Sequence, residues 1–465
     1  MPISVYNSFT RKKEEFTPIK PPKVNIYTCG VTVYDDSHIG HARSLYCFDL
    51  IRRYLKYRGF KVNFVRNITD IDDKIINRAN ELKIDWKELV GKYILSYQED
   101  LLALGIEKAD HEPRASENIP EMVEYIKVLL DKAFAYESGG DVYFNVRKFS
   151  GYGKLSGQSI DQMQSGARIE PSKSKKDPLD FALWKKSKQD EPAWDSPWGK
   201  GRPGWHIECS VMSQKFLKTD TLDIHAGGRD LIFPHHENEI AQGEARSGKQ
   251  FAKYWIHHGL LTINGQKMSK SLGNFISIKD ILKKHSADTL KAFFLGAHYA
   301  SPIDYSEDRM RESAEALERI VILLQKIDLR LKTADQRPKT ADLKEIEKIK
   351  DQFIEAMDDD FNSPRGLAAI FDLVSLSNKK IEDADFLIHA KASLKEMLDI
   401  FGISLKVKTK TSAITDKDIK DKIQAREKAR KDKDYALSDK IRKELEAKGV
   451  ILEDTKDGTT WRRKL

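Results

Sequence analysis

Cysteine is nearly missing from this sequence: its 465 residues include three, Cys29, Cys47 and Cys209. An odd number, widely spaced and without a Cys-x-x-Cys pair, excludes a disulfide-built secreted scaffold and fits a reducing compartment. Each thiol is left for chemistry or packing. Long apolar runs are also missing. No stretch of 18 apolar residues occurs, and Met1 to Phe16 carries Glu14 and Glu15 without an apolar signal core. No membrane span is therefore expected, and the reading is a cytoplasmic protein. The helical zinc-protease signature fails, because His111-Glu112 is followed by Ala115 where a second histidine is required. No internal repeat is found, which argues against a solenoid.

What is present is length and a localised charge. The chain can hold two or three domains, each with its own core. The net charge is +8, and residues 401 to 465 hold 19 Lys plus Arg against 12 Asp plus Glu, so +7 of the excess lies in the tail. A charged run is commonly a solvated surface; the sharper reading is a polyanion partner such as nucleic acid.

Periodicity sets out the organisation. Lys23 to Thr28 alternates as a strand running into Cys29-Gly30, and Leu45, Phe48, Ile51 and Leu55 give a helix over about Ala42 to Arg58, stopped by Gly59. Lys61 to Val65 reads as the next strand. Such a βαβ unit implies a parallel sheet with its ligand site beyond the strand C-termini. Residues 87 to 135 read as mainly helical, and Ser138-Gly139-Gly140 turns into a strand at Asp141 to Phe144. A second half begins near Trp205, with a strand Thr221 to His225, the turn Gly227-Gly228 and a helix from Pro234 to Arg246. Trp255 to Ile263 reads as a strand, and Asn264-Gly265 is a tight turn leading to the loop Lys267 to Ser271. Long amphipathic helices follow from Asp308 to Ile400, among them Ala314 to Leu324 and Leu343 to Met357. A basic linker, Lys406 to Thr415, precedes a small final module.

Two short motifs carry chemistry. His38-Ile39-Gly40-His41 falls at the start of the first helix, where free N–H groups favour an anion and Gly40 permits close approach. Lys267-Met268-Ser269-Lys270-Ser271 supplies cations and hydroxyls on a late loop that can close on phosphates. Either alone occurs by chance or as an ordinary cap or solvated loop; both in this order point to stabilising charge on an ATP phosphate. His235 and Glu239, four apart on the expected helix, share one face, and Cys29 and Cys209 flank turns near the same sheet edge. Spacing alone leaves open whether these four hold a metal or simply pack.

The paired motifs resemble the class I aminoacyl-tRNA synthetases, and the wider sequence resembles the cysteinyl-tRNA synthetase family over nearly the whole chain. The matching segments are Tyr27-Thr28-Cys29-Gly30, Asp180 to Lys185, Gly201 to Cys209, and Phe233 to Glu239. Val31 departs from the proline that relatives often carry there; it touches loop stiffness and leaves the chemistry alone. The resemblance implies one zinc ion on Cys29, Cys209, His235 and Glu239 that takes the substrate thiol. It also implies ATP with Mg2+ as substrate, bound through Gly40, Met268, Ser269 and Lys270. His38, His41, Lys267 and Lys270 are then the catalytic residues, and Trp205, His225 and His236 the pocket wall. Cys47, between Tyr46 and Phe48, reads as packing. A metal–sulfur bond separates cysteine from serine far better than an apolar pocket, consistent with the lack of an obvious editing domain.

In the tail, Ala425 to Arg430 and Asp434 to Arg442 read as basic helices, and Glu453 to Arg463 as a hairpin ending in Trp461 beside two arginines. An aromatic beside cations can stack on an unpaired base. The resemblance implies tRNA contacts by Arg426, Asp454 and Trp461.

The expected architecture is α/β: a Rossmann-like doubly wound parallel sheet over residues 1 to 305 with an insertion at about 87 to 200. A helical bundle at 306 to 404 and a basic anticodon-binding module at 405 to 465 follow. The expected reaction is ATP-dependent activation of L-cysteine and its transfer to cysteine tRNA by a monomer. A ligase passing cysteine to a small-molecule amine is disfavoured by the basic tail, and a noncatalytic tRNA-binding homologue by the intact His38, His41, Lys267 and Lys270.

Overall fold

The computed structural model describes residues 2–160, 162–163, 174–189, 191–268, 273–333, 343–405, 416–448, 450–455 and 458–463. The alternating segment at Lys23 extends into a ten-residue strand, β1 (Lys23–Thr32), followed by helix α1 (Ile39–Tyr57) and strand β2 (Lys61–Thr69). The second half supplies α2 (Trp205–Leu217), β3 (Leu222–Gly228), α3 (Glu237–Ser247) and β4 (Ala252–His258). The four strands form one parallel sheet in the order β4-β3-β1-β2. Strand order reverses beside β1, so the loops leaving β1 and β3 part there and open a crevice at the C-terminal edge. Val24, Ile26, Phe64, Ile224 and Ile256 are buried in the core beneath it.

Between the two halves stand helices Trp86–Leu104 and Ile119–Asp131 and an antiparallel sheet of Ala135–Ser138, Asp141–Phe144, Phe181–Lys186 and Gly201–Pro203. Beyond the parallel sheet, helices Glu307–Thr333, Lys344–Asp358, Ser363–Lys379 and Ala384–Ile400 pack together. The basic linker expected at 406 to 415 lies outside the described residues. Helices Asp416–Lys431 and Tyr435–Ala447 then pack with the hairpin Val450–Thr455 and Gly458–Arg463 around Ile419, Ile423, Leu445 and Val450.

Several boundaries differ from the sequence reading, among them Gly227-Gly228, expected as a turn but held inside β3 by pairing with His257 and His258. Helix α1 starts at Ile39 instead of Ala42, because His38 caps it. The helix expected from Pro234 starts at Glu237: Phe233 precedes proline and is held extended at φ −135 and ψ 132, which breaks the first turn. The strand expected over Trp255 to Ile263 divides at Gly259, where a side chain would meet the Ser301 carbonyl oxygen at 2.2 Å. Its second part, Leu261–Ile263, joins Gln266–Lys267 and Ile303–Tyr305 in a separate sheet. The Asn264-Gly265 turn behaves as expected, with both residues at positive φ (50 and 75).

One buried cation fixes that second sheet against α1. Arg43, 1% exposed, donates to the carbonyls of Leu260 (2.9 Å), Tyr299 (3.3 Å) and Ser301. Arg43→Leu removes the donors and is expected to lower unfolding free energy by about 3 kcal/mol or more in urea titration. An unchanged midpoint would mean that these carbonyls find other donors.

Candidate active site

Met268 of the second motif, more than 220 residues from the first in sequence, lies beside Gly40 at the start of α1. His38 caps the helix: its Nδ1 accepts the His41 N–H at 3.2 Å, and His41 Nδ1 accepts the His38 N–H at 3.2 Å. The rings stack at 3.6 Å and 13°. With both Nδ1 atoms accepting, each neutral ring carries its proton on Nε2 and keeps that donor for another partner. Burial pushes the His38 imidazole down to about 4 and the His41 imidazole to about 3, so both are neutral donors near pH 7.

The segment after the Lys267 motif is stitched to the same place by the bridge of Ser277 to His38. Ile39 N–H donates to Ile276 O (3.1 Å), Ile278 N–H to Ser37 O (2.8 Å), and Phe275 sets its ring edge-on to His38 at 5.6 Å. A side chain at Gly40 would sit 2.9 Å from the His38 ring and 3.6 Å from Met268 Cε, so only glycine leaves room between the motifs. Lys267 lies in the short strand Gln266–Lys267. Ser269, Lys270 and Ser271 lie outside the described residues.

Some residues on, the sheet edge holds a buried cluster. The β1–β2 register shifts between Thr28 and Val31, a bulge that turns Cys29 toward the crevice. Gly30 is required there, since a side chain would strike Asn67 O at 1.6 Å. Cys209 comes from the second turn of α2, His235 from the turn before α3, and Glu239 from its first turn. One donor atom from each of Cys29, Cys209, His235 and Glu239 lies within 4.8 Å of the others. Cys209, His235 and Glu239 are buried.

The neighbours orient these groups. His206 Nδ1 holds His235 Nδ1 at 2.9 Å, leaving His235 Nε2 facing Glu239 Oε1 at 3.1 Å, and His225 Nε2 holds Glu239 Oε2 at 2.8 Å. A second set of four shares Cys29 and Glu239 with His225 and His236. There the imidazoles are engaged otherwise: His225 on Glu239, and His236 between Cys29 Sγ (3.2 Å) and His257 Nε2 (2.8 Å). The first set therefore presents the better donors, with the outer hydrogen bonds that metal ligands use.

The electrostatics agree. Burial would raise the Glu239 carboxyl, but the His225 and His235 imidazoles hold it at about 2. Burial likewise opposes ionisation of Cys209, yet hydrogen bonds from Cys29 and His235 bring its thiol down to about 6. Cys29 is driven up by burial and by Cys209. Burial opposes it, but Glu239 and Cys209 raise the His235 imidazole to about 10, so its positive charge lies between thiol and carboxylate where a metal ion would take its place. Two sulfurs, an imidazole and an oxygen suit a zinc ion.

Trp205 stacks on His235 at 4.1 Å and remains 38% exposed, forming an open wall. His225 and His236 are fully buried behind the cluster. His206 and His257 escaped the sequence reading. His206 stood inside the quoted Gly201 to Cys209 segment, but nothing marked His257, which a strand position alone brings to the site.

In the C-terminal module Arg426 and Asp454 are brought together, to each other. Arg426 is 3% exposed and grips Asp454 bidentately at 2.8 and 2.9 Å, with Arg430 at 3.2 Å. The hydrogen bond from Arg426 lowers the Asp454 carboxyl. Trp461 is half-buried against the module's small core.

The architecture is that of a class I aminoacyl-tRNA synthetase. The structure of Mycobacterium tuberculosis methionyl-tRNA synthetase in complex with methionyl-adenylate superposes with a TM-score of 0.63 at 15% identity, covering 82% of this chain and 90% of that one. Residues 15–315 match the family model of the tRNA synthetases class I (C) catalytic domain. Residues 352–406 match a DALR domain, and 417–462 the cysteinyl-tRNA ligase anticodon binding domain. The cysteine–tRNA ligase of Sulfurihydrogenibium sp. is 50% identical over the full length of both chains, and that of Geobacillus thermodenitrificans 50% identical over 99% of each. The chain belongs to the cysteine–tRNA ligase family.

Depressed imidazoles give a stability signature. Burial holds His38, His41 and His258 at about 4, 3 and 4, against roughly 6.5 in the unfolded chain. The unfolded state takes up these protons first, so stability is full above about pH 6.5 and falls as the pH drops toward 4. Urea midpoints at pH 7, 5.5 and 4.5 should fall in that order; a constant midpoint would contradict it.

Proposed function

We propose that this chain activates L-cysteine with ATP and transfers it to the 3′ end of cysteine tRNA, selecting the substrate through its sulfur. The observation that carries the reading is the convergence of Cys29, Cys209, His235 and Glu239 beside a stitched pair of phosphate-handling motifs. Those four residues would hold one zinc ion, which supplies a soft Lewis acid that favours a thiolate over a hydroxyl.

The chain's own residues then do the following. Trp205, His225 and His236 enclose the amino acid. His38 and His41 donate Nε2–H to ATP phosphate oxygens, Gly40 lets the nucleotide approach the backbone, and Met268 and Ser269 contribute to binding it. The substrate carboxylate attacks the α-phosphorus and pyrophosphate leaves, while Lys267 and Lys270 stabilise the developing charge. A terminal ribose hydroxyl of the tRNA next attacks the adenylate carbonyl, and AMP leaves with its bonding pair. Magnesium accompanies ATP.

We assign residues 1–305 to catalysis, with the insertion at about 87–200, 306–404 to a tRNA-binding bundle, and 405–465 to the anticodon. Trp461 would stack on a base and Asp454 would face the tRNA, with Arg426 holding Asp454 in place. We further infer a cytoplasmic monomer. Among the described residues no helix is long and apolar enough to cross a membrane.

Cys209→Ser is expected to lose most bound zinc and most discrimination against serine, read by metal analysis and by charging with labelled amino acids. Unchanged zinc content and unchanged discrimination would sink the metal assignment. Trp461→Ala should lower charging of cysteine tRNA by about tenfold or more, a stacking loss of 1–3 kcal/mol, while sparing cysteine-dependent pyrophosphate exchange. Equal loss of both activities would remove Trp461 from the tRNA contact.

A further inference from the structure

The bundle meets the catalytic domain at several points, one of which is a short turn with unusual backbone. Helix Lys344–Asp358 ends, and helix Ser363–Lys379 begins, across Asp359 to Asn362, where Asp360 and Phe361 are consecutive non-glycine residues at positive φ (60 and 52). Left-handed backbone at such residues costs on the order of 1 kcal/mol each, so the surroundings must hold it.

They hold it from three directions. Asp360, buried, accepts on Oδ1 the Tyr6 N–H at 2.8 Å and the Tyr299 hydroxyl at 2.7 Å, and its own N–H donates to Ser4 O at 2.9 Å. His298 accepts the Ala300 N–H on Nδ1 at 3.3 Å, so its Nε2–H donates to Asp360 O at 2.8 Å. Asp358 accepts the Tyr54 hydroxyl at 2.6 Å, with Arg58 on the same oxygen, both from the end of α1. The segment carrying His298 and Tyr299 is the one that Arg43 of α1 grips. The strained turn is thus locked to the N-terminal hairpin of Ser4–Asn7 and Lys12–Glu15, to the 298–301 loop and to the helix that carries His38 and His41.

We propose that Asp360 is a positioning residue: it fixes the angle between bundle and catalytic domain so that a tRNA bound at its far end delivers its 3′ end to the active site. This rests on the function proposed above. Among the described residues no group assigned to catalysis touches Asp360, so its loss is expected to leave the adenylation site in place. A full-length tRNA needs both ends placed at once, and an error of an ångström or so in placement is costly. A minihelix carrying only the acceptor stem does not need the joint.

The test compares Asp360→Ala with Asp360→Asn, which keeps the acceptor oxygen and tolerates positive φ, and with Tyr299→Phe. In Asp360→Ala, charging of full-length cysteine tRNA should fall by about tenfold or more. Minihelix charging and cysteine-dependent pyrophosphate exchange should hold at wild-type levels, and Asp360→Asn should restore full-length charging. Tyr299→Phe should lower the same ratio. Equal losses on both RNAs would make Asp360 merely structural and overturn the proposal, as would no loss on either. Small-angle scattering provides a readout free of activity: a larger radius of gyration is expected in Asp360→Ala, and an unchanged curve counts against the joint. Absence of any charging by the wild type would instead fail the proposed function, with the scattering result still deciding the joint.

Discussion

Four side chains able to hold a metal ion, three of them buried, converge at one sheet edge and constrain the rest of this molecule. A thiolate and a carboxylate cannot share a buried volume unless a cation or hydrogen bonds neutralise them. The fold meets that demand in layers. A bulge in β1 aims Cys29, the second turn of α2 presents Cys209, and a broken turn before α3 brings His235 over Glu239. His206 and His225 then fix the imidazole and the carboxylate from behind. The four residues come from three separate segments, so the cluster requires the parallel sheet to be complete.

The same sheet edge carries a second pole with the opposite appetite. His38 and His41 are buried, neutral and locked to each other through Nδ1, which presents two Nε2–H donors at a helix N-terminus. Backbone hydrogen bonds from Ile39 to Ile276 and from Ile278 to Ser37 tie the segment beyond the Lys267 motif to this point. One pole suits a soft cation and the thiol it would take, and the other suits phosphate. Under the function proposed above, an amino acid lying between them would have its carboxylate turned toward ATP.

The readable parts of the sequence were those governed by local rules. Alternation gave β1 and β2, the three-to-four spacing gave α1, and Asn264-Gly265 turned where a two-residue hairpin should. The boundaries moved where tertiary contacts decide. Gly259 divides a strand because Ser301 crosses it, and no local pattern records that crossing. Of the candidate site residues, Cys29, Cys209, His235 and Glu239 were named from a resemblance, since their spacing alone did not separate a metal site from packing. His257 and the Asp360 joint were invisible, because both depend on residues far away in sequence. Arg426 and Asp454 were named separately as partners of RNA, whereas the structure binds them to each other, a pairing that complementary charge 28 residues apart did not announce.

The most direct test of the central claim is X-ray absorption at the zinc edge of the purified protein, before and after L-cysteine is added. Two sulfur ligands at rest and a third with L-cysteine, but not with L-serine, is the result this account expects. A protein that binds no zinc, or whose sulfur ligation is unmoved by L-cysteine, would contradict it.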